Sequence, residues 1–215
     1  MFLLMLTSIG LADRSQVNQF GPTLSLDKIP LYFVDNRGQK DNNVRFYSRT
    51  PAFSLHCLTD GLRFETAAST NAKMDQSFLR FIDANQSPTL HPLEKSEYRV
   101  NEYRGERQSW RSGISSYRAV EYKQLYPGIN LKVYGKGSTV EYDWVVAAGA
   151  DPNRIRFEYK NVKESRINWA GNIVVDSGHS KLVHKKPYAY EMIDGKKQEV
   201  PVRFQTILPN QYGFK

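Results

Sequence analysis

The sequence predicts an all-β protein: an antiparallel β-sandwich made of two related β-units, with few or no helices. Three observations predict it. Turn signals recur at short spacing along most of the chain. Aromatic residues make up 13%, led by 13 Tyr and 11 Phe, and flat rings suit the pleated surface of strands. Helical periodicity is nearly absent.

Each predicted hairpin joins two runs of β-formers through residues that tolerate positive φ. Asp60-Gly61 separates Phe53–Leu58 from Leu62–Thr66, and Gly135-Lys136-Gly137 separates Ile129–Tyr134 from Thr139–Val146. Ala170-Gly171-Asn172 stands between Arg166–Trp169 and Ile173–Asp176, and Ser177-Gly178 leads into Lys181–His184. Asp194-Gly195 separates Tyr188–Ile193 from Gln198–Phe204. Thr139–Val146 alternates strictly, with Val140, Tyr142, Trp144 and Val146 on one face; that aromatic face is read as the core face. Helix candidates are short. Ala67–Gln76 has room for a turn or two or a loop, and Ala119–Leu125 for one turn before Pro127. Ser87–Tyr98 carries two prolines and mixed charge, and reads as a linker or long surface loop.

Hydrophobic residues at 40% and charged residues at 24% exclude a disordered chain. The net charge of +8 is compatible with an anionic partner. The charges are interspersed, however. Glu97, Glu102 and Glu106 alternate with Arg99, Arg104, Arg107 and Arg111, as on a mixed solvated surface. The single cysteine, Cys57, permits no intrachain disulfide and reads as a buried small hydrophobe. Met1–Ala12 is apolar and ends in Gly-Leu-Ala, like the tail of a secretory signal peptide; an ordinary buried first strand is the alternative. No later run approaches the about 20 apolar residues of a membrane span, so no transmembrane anchor is expected.

A faint internal repeat is visible. Asn43–Arg49 aligns without gaps to Asn130–Lys136, and Phe53–Leu58 to Val140–Val145. Leu79-Arg-Phe echoes Ile155-Arg-Phe at a different offset. Generic strand similarity explains it as well as duplication does. The expected organisation is a signal-like segment over 1–12 and an N-terminal extension over 13–28. A first unit covers 29–86, a linker 87–98, and a second unit 99–215.

No catalytic, cofactor-binding or metal-ligating set is assigned. Glu141 and Asp143 share a strand face about 7 Å apart, a separation in the range of glycosidase carboxylate pairs, but such pairs flank a cleft; these two read as outward and solvated. Asp35, Asn36, Arg37 and Gly38 read as a polar loop whose side chains cap backbone groups. His179 and His184 are five apart, so one strand would place them on opposite faces. His56 and His91 lack zinc-type spacing. Gly135-Lys-Gly-Ser138 lacks the spacing of a phosphate loop and reads as a turn. Asp151-Pro152 reads as a corner.

Several motifs carry a family resemblance when taken in order: Pro30–Gln39, Trp110–Ser112 followed by Tyr117, and Tyr126-Pro-Gly-Ile-Asn-Leu. Glu141-Tyr-Asp-Trp-Val-Val, Gly149-Ala-Asp-Pro, and Lys186-Pro with Glu191 and Asp194-Gly195 follow. From Ile29 to Lys215 the chain resembles the N-terminal domain of unknown function of bacterial cell-surface proteins with SBBP β-propeller repeats. The resemblance implies a secreted or surface-exposed, non-catalytic module for structure, adhesion or interaction. Its partners would be downstream domains of a longer parent protein or other surface components. No specific nucleic acid is expected. The family's domain usually continues through another strand where this chain has Tyr212-Gly-Phe-Lys, which implies an unpaired edge there. The alternative reading is a module that binds anionic polysaccharide, or a jelly-roll lyase-like enzyme, using Tyr and Arg on a concave sheet.

Overall fold

The computed structural model describes residues 3–11, 31–50, 53–67, 74–137 and 139–215. Its strands begin with β1 (Leu3–Leu11), β2 (Phe33–Asp35), β3 (Val44–Arg49), β4 (Phe53–Leu58), β5 (Gly61–Ala67) and β6 (Met74–Phe81). The long pair β7 (Thr89–Glu102) and β8 (Arg111–Tyr126) follows, then β9 (Ile129–Lys136), β10 (Thr139–Val146), β11 (Arg156–Lys160) and β12 (Glu164–Ile167). The last strands are β13 (Ile173–Asp176), β14 (Lys181–His184), β15 (Tyr188–Ile193), β16 (Lys196–Val200), β17 (Phe204–Leu208) and β18 (Gln211–Phe214). Among the described residues the only helical turns are 3₁₀, at Arg107–Ser109 and Pro152–Arg154.

All five predicted hairpins form, and all are antiparallel. Strands β2 to β6 make a meander that continues through β11 to β18 and β17. On the other side, β2 pairs with β8 through Phe33 and Tyr117, and β8 leads through β9 and β10 to β1. The far edge of β1 takes β15 along Leu3–Leu6 and β14 along Ile9–Leu11. From β14 the path runs through β13 to β12, which comes against β17. The result is one antiparallel sheet nearly closed into a barrel.

Side chains rather than a ladder bridge the remaining gap. Ser165 of β12 donates its N–H and its hydroxyl to Asn210 Oδ1, at 2.9 and 2.7 Å, and its hydroxyl also meets the Tyr212 hydroxyl at 2.8 Å. The barrel interior is filled. Trp144 packs among Phe81, Tyr126 and Tyr142, and the Phe157 ring meets Tyr159, Phe204, Tyr212 and Phe214. The alternating face of β10 lies in this core as expected, and so does Cys57, whose thiol burial pushes up to about 12.

Three expectations are corrected. Thr89–Glu102 is a strand, not a loop. Among the described residues it is an edge strand paired only with β8, where proline is tolerated, and its side chains are mostly exposed, so no apolar alternation marks it. Ala119–Leu125 is part of β8, not a helical turn. Tyr212–Phe214 does not leave an open edge, because β18 is flanked by β11 and β17. Of the Ala67–Gln76 candidate, both ends lie in strands and residues 68–73 fall outside the described residues, as do the 13–28 extension and Ser138.

Leu3–Leu11 is built into the sheet, with Met5, Thr7 and Ile9 buried. The two proposed units share one interior core, and β6 pairs with β11 across their boundary.

Candidate functional site

The outer face of β3–β5 carries a polar network. The Asp60-Gly61 hairpin sets Leu58 opposite Gly61, which brings His56 opposite Arg63. Leu55, Cys57, Leu62 and Phe64 point into the core, so His56 and Arg63 point outward, yet both are buried. What covers this face is a second apolar cluster. Val34, Val44, Tyr47 and Leu58 meet Ile114 and Val100, which the β7–β8 ribbon supplies.

Arg63 is held from several sides. It donates from Nε to His56 Nδ1 at 3.0 Å and lies 3.2 Å from both Asp41 Oδ2 and Glu65 Oε1. A guanidinium has only donors, so His56 Nδ1 accepts and its ring is neutral. Desolvation, and then the positive charge of Arg63, lower the His56 pKa to about 4. The His56–Glu65 approach of 3.4 Å is therefore not an ion pair. Tyr47 donates to Glu102 Oε2 at 2.9 Å, and burial pushes its own pKa up to about 12. Lys40 lies 5.0 Å over the Tyr47 ring and 4.0 Å from Glu102, and desolvation lowers its pKa.

Asn36 organises the loop that presents Lys40 and Asp41. Its Nδ2 donates to the carbonyls of Lys40, Asp41 and Val44, and its Oδ1 accepts from the N–H groups of Gly38 and Lys40. The capping role read for the 35–38 loop is therefore found. Arg63, Lys40 and Arg104 balance Asp41, Glu65 and Glu102, which suits a network that ties loop and ribbon to the sheet.

A second group centres on Tyr134. Its hydroxyl lies 3.0 Å from Asp143 Oδ1 and 3.2 Å from Glu141 Oε2, so the two carboxyl groups share or compete for its one proton. Desolvation raises the Asp143 pKa to about 6, with Glu141 adding to the shift. The carboxylates read as outward and solvated are thus bridged by a tyrosine, and Asp143 is buried. Neither carboxylate is among the residues that line the apolar groove of about 130 Å³, which include Met5, Pro152, Ala189, Val200 and Phe214.

The histidines stand apart. His184 is fully buried between the hydroxyls of Tyr142 and Tyr159, and burial lowers its pKa to about 3, while His179 is exposed in a turn. His91 sits on β7 opposite Glu121. Asp151 caps the Pro152–Arg154 turn by accepting from the Asn153 N–H, as a corner residue should. Among the described residues no three His, Cys, Asp or Glu side chains are grouped to hold a metal ion, and no helix is long and apolar enough to cross a membrane.

Trp169, in the β12–β13 turn, is the most exposed aromatic among the described residues, but it has no ring partner there; a paired set of exposed aromatics stands at the end of the β7–β8 ribbon. Tyr103 and Trp110 form an edge-on pair with centroids 5.2 Å apart, 58% and 44% exposed. The pair is anchored. Trp110 Nε1 donates to the Gly105 carbonyl at 3.3 Å, and Arg111 Nε donates to the Arg37 carbonyl at 3.1 Å. Arg104 and Arg107 flank it on the exposed tip. Nearby on the ribbon, Tyr98 stacks on Tyr32 with Arg118 over the Tyr32 ring.

The outer network is hidden in the sequence because it draws on several segments. Two hairpin signals were available: Asp60-Gly61 sets His56 across from Arg63, and Gly135-Lys136-Gly137 sets Tyr134 across from Glu141.

The family described as "Domain of unknown function (DUF7948)" matches residues 33–215, and the chain belongs to it. Comparison with curated proteins found no match, nor did comparison with solved structures.

Proposed function

We propose that this chain is a non-catalytic interaction module of an exported bacterial surface protein, and that it meets its partner through the end of the β7–β8 ribbon. The observation that supports this is the anchored, exposed Tyr103–Trp110 pair. Solvent-exposed aromatics held in a fixed geometry lose little entropy on binding, which is why such residues recur at contact hot spots. The partners would be downstream domains of a longer parent or other surface components. A second reading, an anionic polysaccharide as ligand, is favoured by Arg104 and Arg107 beside the pair. The lyase-like version gains no support, since the groove is apolar and the barrel interior is filled.

Duplication of a β-unit also stays a proposal. It is supported by the aligned hairpins β3–β4 and β9–β10, which place Tyr47 and Tyr134 at equivalent positions, though Tyr47 pairs with His56 and Tyr134 with Glu141, a register two residues apart.

Two measurements test the functional reading. Fractionation of producing cells should recover the protein outside the cytoplasm; recovery only in the cytoplasm overturns export. Polygalacturonate and neutral dextran are then offered to the full chain and to Trp110→Ala. Retention by polygalacturonate alone, lost in the variant, supports the polysaccharide reading. Equal retention of both proteins would show only generic attraction of a basic surface. N-terminal sequencing of exported protein belongs with this test. Leu3–Leu11 is paired within the sheet, which favours the strand alternative over a cleaved leader; a mature N-terminus at Asp13 overturns it.

A further inference from the structure

All partners of β1 lie in the second half of the chain: β10 on one edge, β14 and β15 on the other. Among the pairings of the described residues, β1 alone joins β12–β16 to β10. Taking it away would leave two open strand edges above an apolar strip where Met5, Thr7 and Ile9 now sit. Bare edges of this kind recruit another strand.

The slot is shaped for one strand: Met5, Thr7 and Ile9 are buried in it, and both edges of β1 are laddered. Residues 12–30 separate β1 from the rest of the sheet, and a chain of that length spans about 60 Å when extended. That reach covers a neighbouring molecule as readily as the chain's own slot. Every copy carries the same slot and the same strand, so an exchange preserves register and contacts.

We infer that β1 is exchangeable, and that the slot between β10 and the β14–β15 pair accepts the β1 strand of a second copy of this chain. Reciprocal exchange closes into a two-fold dimer with no new interface chemistry. The inference stands independently of the ribbon reading.

The test uses the direct pairing of Ser8 with Glu141 across β1 and β10. Two full-length variants, Ser8→Cys and Glu141→Cys, are made in a Cys57→Ala background. They are mixed, refolded together and treated with a short thiol-to-thiol linker. Exchange gives a covalent heterodimer of twice the 24.8 kDa chain mass, with a yield that rises with protein concentration. A mixture of Ser8→Cys with Arg107→Cys, at the ribbon end, measures chance encounters and should give several-fold less. The double variant Ser8→Cys/Glu141→Cys should link within one chain at high dilution. If the double variant links while the mixture stays monomeric or matches the chance yield, exchange is overturned. If the double variant does not link at all, β1 does not occupy the slot and the inference falls with it.

Discussion

Arg63 donates to His56 Nδ1 from both Nε, at 3.0 Å, and a terminal nitrogen, at 2.6 Å. Protonating the ring would require Arg63 to leave. The folded pKa of His56 is lowered to about 4 from 6.5, so the unfolded chain binds more protons between these values. The stabilisation is complete above the unfolded value and is lost as pH falls from about 6.5 to about 4. A shift of this size corresponds to about 3 kcal/mol at most. Urea midpoints at pH 7 and pH 4.5 should show that drop. His56→Gln, whose amide oxygen can accept from Arg63, should show a smaller one. A residual drop is expected from His184, lowered to about 3 by burial. An unchanged pH profile in the variant would show that His56 is not the titrating group.

Asp143 has the opposite sign. Its folded pKa is raised to about 6 by desolvation, so its ionised form is disfavoured in the fold. The penalty is present at pH 8 and is relieved as pH falls through about 6. Asp143→Asn keeps an oxygen for the Tyr134 hydroxyl and removes the charge. It should stabilise the protein at pH 8 by about 1–3 kcal/mol and change little at pH 4. A variant less stable than the parent at pH 8 would mean that the carboxylate is held by something other than Tyr134.

Asn210 is the acceptor that bridges the barrel's open seam, and its own backbone has φ 60. Replacing it by Ala leaves the half-buried Ser165 N–H without its acceptor and puts in the left-handed region a residue that tolerates it less well than Asn. Asn210→Ala should cost about 2–4 kcal/mol, and Asn210→Gly about 1–3 kcal/mol, because glycine removes only the backbone strain. Hydrogen exchange at Ser165 should quicken in both. No change in exchange would mean that the seam is closed by packing alone.

Most of the strand plan was legible for a local reason. In each hairpin, residues that tolerate positive φ sit beside residues that pack on a pleated sheet, and both signals fall within a dozen positions. Strand β7 was hidden because it is an edge: Pro88 and Pro92 resemble loop punctuation, and with so few buried side chains no alternation survives. The role of Leu3–Leu11 was hidden because its partners are remote, so an apolar run reads equally as leader or strand. The barrel closure rests on Ser165 and Asn210, polar residues without periodicity. The same holds for the outer network: Asp41, Tyr47, Arg63 and Glu102 come from four segments, and only His56 against Arg63 follows from a hairpin register. The ribbon's alternating Glu and Arg look like ordinary solvated surface; the pairing of Tyr103 with Trp110 depends on the turn between them.

Gly61 reads in the sequence as a turn glycine chosen for positive φ, and its geometry says otherwise. It is the first residue of β5, it has no positive φ, and a Cβ there would lie 2.3 Å from the Leu79 carbonyl oxygen. Its own carbonyl accepts from the buried Tyr122 hydroxyl at 3.2 Å. The residue is needed because two backbones come close, as glycine in a strand often signals. Gly195, in the β15–β16 turn, is the reverse case, with φ 75 and open space around its Cβ position. The two should therefore respond differently to the same substitutions. Gly195→Ala should cost about 1 kcal/mol, and Gly195→Asn should recover most of it, because Asn tolerates that conformation. Gly61→Ala should cost about 1–3 kcal/mol through overpacking, and Gly61→Asn more. Chemical denaturation of the four variants checks this. A Gly61→Asn that is more stable than Gly61→Ala would show that backbone conformation, not close approach, selects glycine there.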